Sequence, residues 1–498
     1  MTFDVHQLDT FLLVGSAVTF LAILAVRVSS GVGLPSLLIY LLMGVALGES
    51  VVGIPFEDAE LAHALGFAAL VLILAEGGLT TNWHEIRPAM RLGVALATIG
   101  VTVSVLIVAL AAHYILGLSW QMSILLGAVT SATDAAAVFS VLRVVPLPKR
   151  LTGSLEAESG LNDAPTVVLV VLVSSGTAAD EGVLVVAAII AAELAAGVLI
   201  GLAVGFGGAW LLRRAALPSS GLYPIAVISL TILAYAGGAS VHASGFAAVY
   251  VAALVLGNSE LPHRLAIRSF SEGIAWIAQI GLFVMLGLLL SPGRITWEVI
   301  GLAVAAGLVL TFVARPISVL VSAIVQPMPW RELSFLSWAG LRGAVPIVFT
   351  TIPLAEGIPD GEKLFDIVFV MVVIYTLMTA PSLPWVARVL KVARRSEPRE
   401  LDVEAAPLER VAADLLQVTV SPASLMHGVE VGELRLPPGA SVSMVIREGE
   451  TLVPERRTVL RHGDELLVVT PRKLRDRTEE RLRQVSLRGR LAQWLDGE

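Results

Sequence analysis

The chain has 498 residues, of which 56% are hydrophobic and only 15% charged, and a net charge of −7. Soluble domains carry about 25% charged residues, so a wholly soluble protein is excluded. The absence of cysteine excludes disulfides and thiolate metal centres.

The first nine residues, MTFDVHQLD, are polar and lack a basic segment or a small-residue cleavage site. The first apolar run, 9–26, therefore reads as a retained span. Further runs follow at 33–48, 60–80, 89–112, 120–142, 152–175, 183–212, 222–239, 243–257, 270–291, 296–324, 333–352 and 364–388, about thirteen in all. Apolar runs of about 20 residues can cross the hydrocarbon core as helices. The connectors alternate in charge. One set carries Arg27, then Arg87 and Arg91, then Arg143, Lys149 and Arg150, then Arg213 and Arg214, Arg264 and Arg268, Arg331, and Arg394 and Arg395. The other set is nearly free of basic residues, with Arg294 and Lys363 as exceptions. Basic loops stay cytoplasmic, so the expected N-terminus is outside and the C-terminus inside.

Composition changes near Lys391. The expected divisions are a membrane domain over 1–390, a charged linker over 391–407, a small α/β domain over 408–487 and a tail over 488–498. LLQVTVS, SVSMVIREGE and DELLVVTP have strand character, LPPGAS and RHGDE read as turns, and RKLRDRTEERLRQV reads as a charged helix. Acids and bases are interleaved there, which gives no basic patch for nucleic acid.

Ionisable residues inside spans cost roughly 2.5–3.5 kcal/mol each, so they are functional candidates by default. The densest group is EAESGLNDAPTVVLVVLV, starting at Glu156. On a helix, Glu158 lies one turn below Asn162, Ser159 one turn below Asp163, and Thr166 follows Asp163 at i+3. Ser159, Asp163 and Thr166 then form an oxygen-rich face suited to Na⁺ or K⁺. The preceding GAVTSATDAAAVFSVLR places Thr130, Ser131, Thr133 and Asp134 in an apolar run, and LSWAGLRGAVPIVF places Gly340, Arg342, Gly343 and Pro346 in another. Both read as broken helices, and broken spans in two halves mark inverted-repeat transporters. Asp134 is expected to offset facing helix N-termini and Arg342 facing C-termini. Arg315 needs an acid, and Glu158 is its expected partner, with Glu76 beside that pair. Glu193 lies mid-span without an assigned partner, and His242 and His263 read as solvated connector residues.

The ESGLND, SATDAAAVFS and GLRGAV runs, in their order and spacing, resemble the NhaP-type branch of the cation/proton antiporter superfamily, and within it the potassium/proton antiporters of cell-volume regulation. The resemblance spans most of 9–390, and 408–487 resembles the C-terminal lobe of RCK (TrkA-type) regulatory domains. It implies an all-α polytopic membrane protein with inverted repeats, a homodimer in the cell membrane, and a cytoplasmic α/β domain that binds a nucleotide, a cyclic dinucleotide or an ion. It implies that Asp163 binds protons and the cation in turn. Ser159 and the backbone at Thr133 would help ligate the cation, and Glu158 would pair with Arg315. Asn162, where electrogenic relatives carry Asp, is associated with one-for-one exchange of K⁺ (or Na⁺) for H⁺. No cofactor, structural metal or catalytic residue is implied. Many relatives carry Pro after the broken-helix Asp, where this chain has Ala135. Two other classes compete. A potassium channel-like uptake protein would need a filter such as TVGYG, which is absent. An aspartyl protease would use Asp134 and Asp163 as a dyad, but the residues around them do not resemble that class.

Overall fold

The computed structural model describes residues 5–32, 36–48, 52–54, 56, 58–134, 147–177, 182–393, 403–408, 413–422, 424–447, 449–489 and 492. The chain forms two compact units, Met1–Ala393 and Arg394–Glu498.

The first unit is helical. Its helices are α1 (Val5–Val32), α2 (Ser36–Leu47), α3 (Ala59–Thr80), α4 (Trp83–Tyr114), α5 (Trp120–Ser131), α6 (Lys149–Ser174), α7 (Val183–Arg214), α8 (Leu222–Ser240), α9 (Gly245–Gly257), α10 (Arg264–Leu289), α11 (Trp297–Ser322), α12 (Trp330–Trp338), α13 (Ala344–Ala355) and α14 (Gly361–Val389). Among the described residues, seven helices are long and apolar enough to cross a membrane, and four more are short and apolar. Side-chain caps set several starts: Asp58, Ser119, Ser244 and Thr296 each accept a hydrogen bond from the backbone N–H three residues on. Small residues set the closest crossings. A Cβ at Gly44 of α2 would lie 2.1 Å from Val284 O, and one at Gly287 of α10 would lie 2.2 Å from Leu41 O. Only glycine lets those two backbones meet.

One succession of elements occurs twice. A helix with a π turn (Leu96–Gly100 in α4, Leu310–Ala314 in α11) is followed by an interrupted span and then by a long helix, α6 or α14. The two π-containing helices touch, and Ser322 Oγ donates 3.2 Å to Ala95 O beside the first π turn. A π turn leaves carbonyls without their ordinary helical partner, and such turns recur at functional sites.

Arg294 and Lys363, the two basic residues that broke the loop alternation, are both ion-paired. Arg294 donates through Nε and Nη2 to the buried carboxylate of Asp366, at 3.1 and 3.2 Å. Lys363 Nζ lies 2.7 Å from Glu298. Each exception carries its own neutralising acid.

In the second unit, strands β1 (Val403–Leu408), β2 (Ala413–Thr419), β3 (Ser441–Arg447), β4 (Glu450–Leu452) and β5 (Glu465–Pro471) form one sheet in the order β1-β2-β5-β3-β4, antiparallel throughout. Helix α15 (Arg475–Arg488) buries Leu482 and Val485 in a core with Leu416, Val418, Val445, Leu466 and Val468. The stretch read as linker, 391–407, contains most of β1. Its sequence, VEAAPL, has neither alternation nor β-branched density, and its Pro407 is tolerated because β1 is an edge strand. Asp464 closes the turn before β5. It accepts from Arg447 Nε and Nη2 at 2.8 and 2.7 Å and from the Arg461 N–H at 2.8 Å.

Candidate functional site

Helix α5 ends at Ser131 because Ala132 turns to extended backbone. The chain remains non-helical through Asp134. Residues 135–146, with Ala135, Arg143 and the rest of that span, lie outside the described residues. The second interruption, 339–343, separates α12 from α13. The two interruptions meet directly, since Asp134 N donates 3.1 Å to Leu341 O.

Two buried charges sit at this crossing. Asp134 Oδ2 accepts from Ala344 N at 3.1 Å, which places a carboxylate at the N-terminus of α13. Anionic charge at a helix N-terminus is favourable. Arg342 donates through Nε to Thr130 O at 3.1 Å and through Nη1 to Gly340 O. A cation thus faces carbonyls at the ends of α5 and α12. The fit needs glycine, because a Cβ at Gly343 would lie 1.9 Å from Asp134 Oδ2 and one at Gly340 2.6 Å from Arg315 Nε.

Helix α6 runs past this crossing. Ser159 Oγ donates 2.6 Å to Thr133 O, and Asn162 Nδ2 donates 2.7 Å to Thr133 Oγ1. One residue of the interrupted span therefore holds two consecutive turns of α6. Arg315 donates through both terminal nitrogens to the two carboxylate oxygens of Glu158, and also to Leu336 O at 3.3 Å. Bidentate pairing of this kind fixes orientation as well as charge.

Asp163 differs from the other charges. It is 3% exposed, and its Oδ1 has no hydrogen-bond partner among the described residues. Asn162 Oδ1 and Thr166 Oγ1 are likewise buried without partners among those residues. Three such oxygens within about one turn of a helix are unusual, because buried polar groups are nearly always satisfied. Ser159 has committed its proton to Thr133 and keeps lone pairs to accept with. The arrangement offers one titratable carboxylate among oxygen donors, which can hold either a proton or a hard monovalent cation.

Thr133, Asp134, Glu158, Ser159, Asn162, Asp163, Arg315 and Arg342 are all buried around the crossing. Glu76 is half-buried on α3. Glu193 is half-buried on α7, and its carbonyl accepts from Ser244 N. Sequence reasoning missed one neighbour, Tyr250 of α9, whose ring lies against Gly160 on α6. The two residues are far apart in the chain, and a glycine inside a helix gives no sign of what will pack on it.

Residues 16–389 match the family of transmembrane sodium/hydrogen exchangers, and residues 415–483 match the TrkA-C domain. The chain is 36% identical to the K(+)/H(+) antiporter NhaP of Alkalimonas amylolytica over 477 residues, covering 92% of this chain and 81% of that protein. It is 34% identical to the K(+)/H(+) antiporter NhaP2 of Shewanella oneidensis, covering 94% and 82%. The Na(+)/H(+) antiporter ApNhaP of Aphanothece halophytica is 28% identical over 455 residues, covering 85% and 84%. The fold is that of the sodium proton antiporter MjNhaP1 of Methanocaldococcus jannaschii, with a TM-score of 0.65 at 20% identity, covering 77% of this chain and 99% of that one.

Proposed function

The chain belongs to the sodium/hydrogen exchanger family, and on that premise we propose that it exchanges K⁺ for H⁺ across the cell membrane, one for one, with Asp163 as the shared binding residue. The observation that carries this reading is the buried Asp163 carboxylate, with an oxygen that, like those of Asn162 and Thr166, has no partner among the described residues. A proton or a cation satisfies that group, and both cannot do so together. Ser159 and Thr133 complete the oxygen set. Carrying the bare carboxylate across would bury an unpaired charge, which is strongly disfavoured, so the empty carrier crosses slowly and the two fluxes are coupled. Asn162 contributes no second charge, in keeping with electroneutral exchange.

The remaining charges have structural tasks in this scheme. Glu158 and Arg315 neutralise each other, with Glu76 beside that pair, while Asp134 and Arg342 compensate helix ends. The chain is a carrier without a catalytic residue, structural metal or cofactor. We place the N-terminus outside and the C-terminal unit in the cytoplasm, on the loop charges, and the pairing of Arg294 and Lys363 with acids supports that orientation. In this scheme the protein works as a homodimer in K⁺ efflux and cell-volume and pH homeostasis. Its C-terminal unit, a TrkA-C match, regulates exchange by binding a nucleotide or cyclic dinucleotide.

The preference for K⁺ over Na⁺ rests on the relatives at 33–36% identity, which are named for K⁺. The test is dye-reported antiport in proteoliposomes titrated with K⁺, Na⁺, Rb⁺ and Li⁺, with and without residues 396–498. A tighter apparent affinity for K⁺ is expected. Equal affinity for Na⁺ and K⁺ would replace it with the Na⁺/H⁺ reading, and faster exchange or lost ligand response without 396–498 would mark regulation.

A further inference from the structure

Helix α9 is locked backbone to backbone into the helices around it. A Cβ at Gly78 of α3 would lie 2.8 Å from Tyr250 O, and one at Gly201 of α7 would lie 2.6 Å from Ala248 O. Toward α6 the contact is of another kind. The Tyr250 side chain, 4% exposed, reaches across and lays its ring on the one glycine in that part of α6. A Cβ at Gly160 would lie 2.4 Å from Tyr250 Cζ, 2.5 Å from Cε2 and 2.6 Å from the hydroxyl oxygen. No other residue at 160 leaves room for the ring where it stands.

The position of that contact on α6 matters. Glu156, Gly160 and Asp163 follow one another at i, i+4 and i+7, which places them along one stripe. Glu156 and Asp163 are about 10 Å apart along the axis at the rise of an α-helix. Glu156 is half-buried and lies toward the solvent-exposed start of α6, where Lys149 pairs with Glu85 at 2.8 Å. Asp163 is at the buried end. The Tyr250 ring and hydroxyl lie on Gly160, so the phenol occupies the stripe between the wet end of α6 and the binding carboxylate.

We propose that Tyr250, seated on Gly160, is the barrier that closes the route from the Glu156 end of α6 to Asp163. Asp163 exchanges its proton or cation with that side only when α6 and the ring part. The glycine lets the barrier close fully, and the hydroxyl places a polar group at the edge of the path. This inference rests on the assignment of Asp163 as the binding residue.

The test uses the absence of native cysteine. Ala164, one turn beyond Gly160 and next to Asp163, is replaced by Cys in the full-length chain, in vesicles exposed to a membrane-impermeant thiol reagent from either face. Labelling from the face reached by Lys149 should be slow with Tyr250 present and about tenfold faster in Tyr250→Ala, without a matching change from the other face. Equal rates with and without the ring overturn the barrier. A second measurement addresses the contact itself. Gly160→Ala should slow cation-driven proton flux by roughly tenfold or more, and adding Tyr250→Ala should restore much of that loss by removing the clash. A double variant as slow as Gly160→Ala overturns the role of the contact. Labelling rates do not depend on the ion carried, so failure of the barrier and failure of the K⁺/H⁺ reading appear in different measurements.

Discussion

Glu158 and Asp163 lie little more than one turn apart on α6, both buried, in opposite electrostatic circumstances. Both oxygens of Glu158 receive hydrogen bonds from Arg315, whereas Asp163 keeps an oxygen that nothing among the described residues satisfies. A buried ion pair that loses one member leaves an uncompensated charge. A buried carboxylate that was never paired is free to take a proton or a cation. Burial alone therefore does not mark the working residue. The useful sign is burial together with missing protein partners.

The comparison breaks most sharply at Asp163. Asp163→Asn should abolish cation-driven proton flux in proteoliposomes while leaving the folded yield near wild type, because the charge it removes holds nothing together. Retained flux would move the binding site elsewhere. Glu158→Gln and Arg315→Ala should act the other way round, each destabilising the protein by roughly 3–5 kcal/mol. The measurement is thermal stability in detergent, and normal stability with lost transport would show that the pair carries ions. Thr166 sharpens the contrast with a smaller effect. Thr166→Val should raise the apparent KM for the cation about 5- to 30-fold, the factor for 1–2 kcal/mol of lost oxygen contact, and Thr166→Ser should restore it. An unchanged KM in Thr166→Val would remove that hydroxyl from the site.

The smallest effect on transport is expected in the second unit, where Asp464 has the circumstances of Glu158. Burial alone would raise the Asp464 carboxyl, but hydrogen bonds from Arg447 and Arg461 hold it below the ordinary carboxylate value of 3.8. A group lowered on folding stabilises the native state above its unfolded pKa and loses that contribution as pH falls through the folded value. The C-terminal unit should therefore lose stability below about pH 4, followed by proteolysis of the full-length chain. Asp464→Asn should remove this acid-dependent loss, and an unaltered acid profile would discount the pair.

The broad architecture was legible because its causes are local. Apolar length sets spans, and Gly, Pro and charge within a span set breaks. Glu158, Ser159 and Asp163, at i, i+1 and i+5, could be placed on α6 from helical spacing alone. Other features depend on what meets across space. The π turns of α4 and α11 have no residue signature, since their geometry is set by packing between the two helices. Strand β1 exists through its pairing with β2, and its composition argues against it. Tyr250 was likewise invisible, as its importance lies entirely in the glycine that faces it.

The pairing of Arg294 with Asp366 bears on how the protein is made. Asp366 is 2% exposed near the start of α14, the last helix of the membrane unit to emerge, while Arg294 lies in the connector before α11. Until the two meet, the acid must stay hydrated or protonated, so α14 cannot settle into the bundle ahead of that connector. Loss of the pair is therefore expected to tell during biogenesis, before the bundle closes. Pulse-chase of Arg294→Ala should find synthesis at the normal rate and clearance by membrane proteases several-fold faster, with the defect confined to newly made chains, and normal survival would reduce the pair to a surface contact.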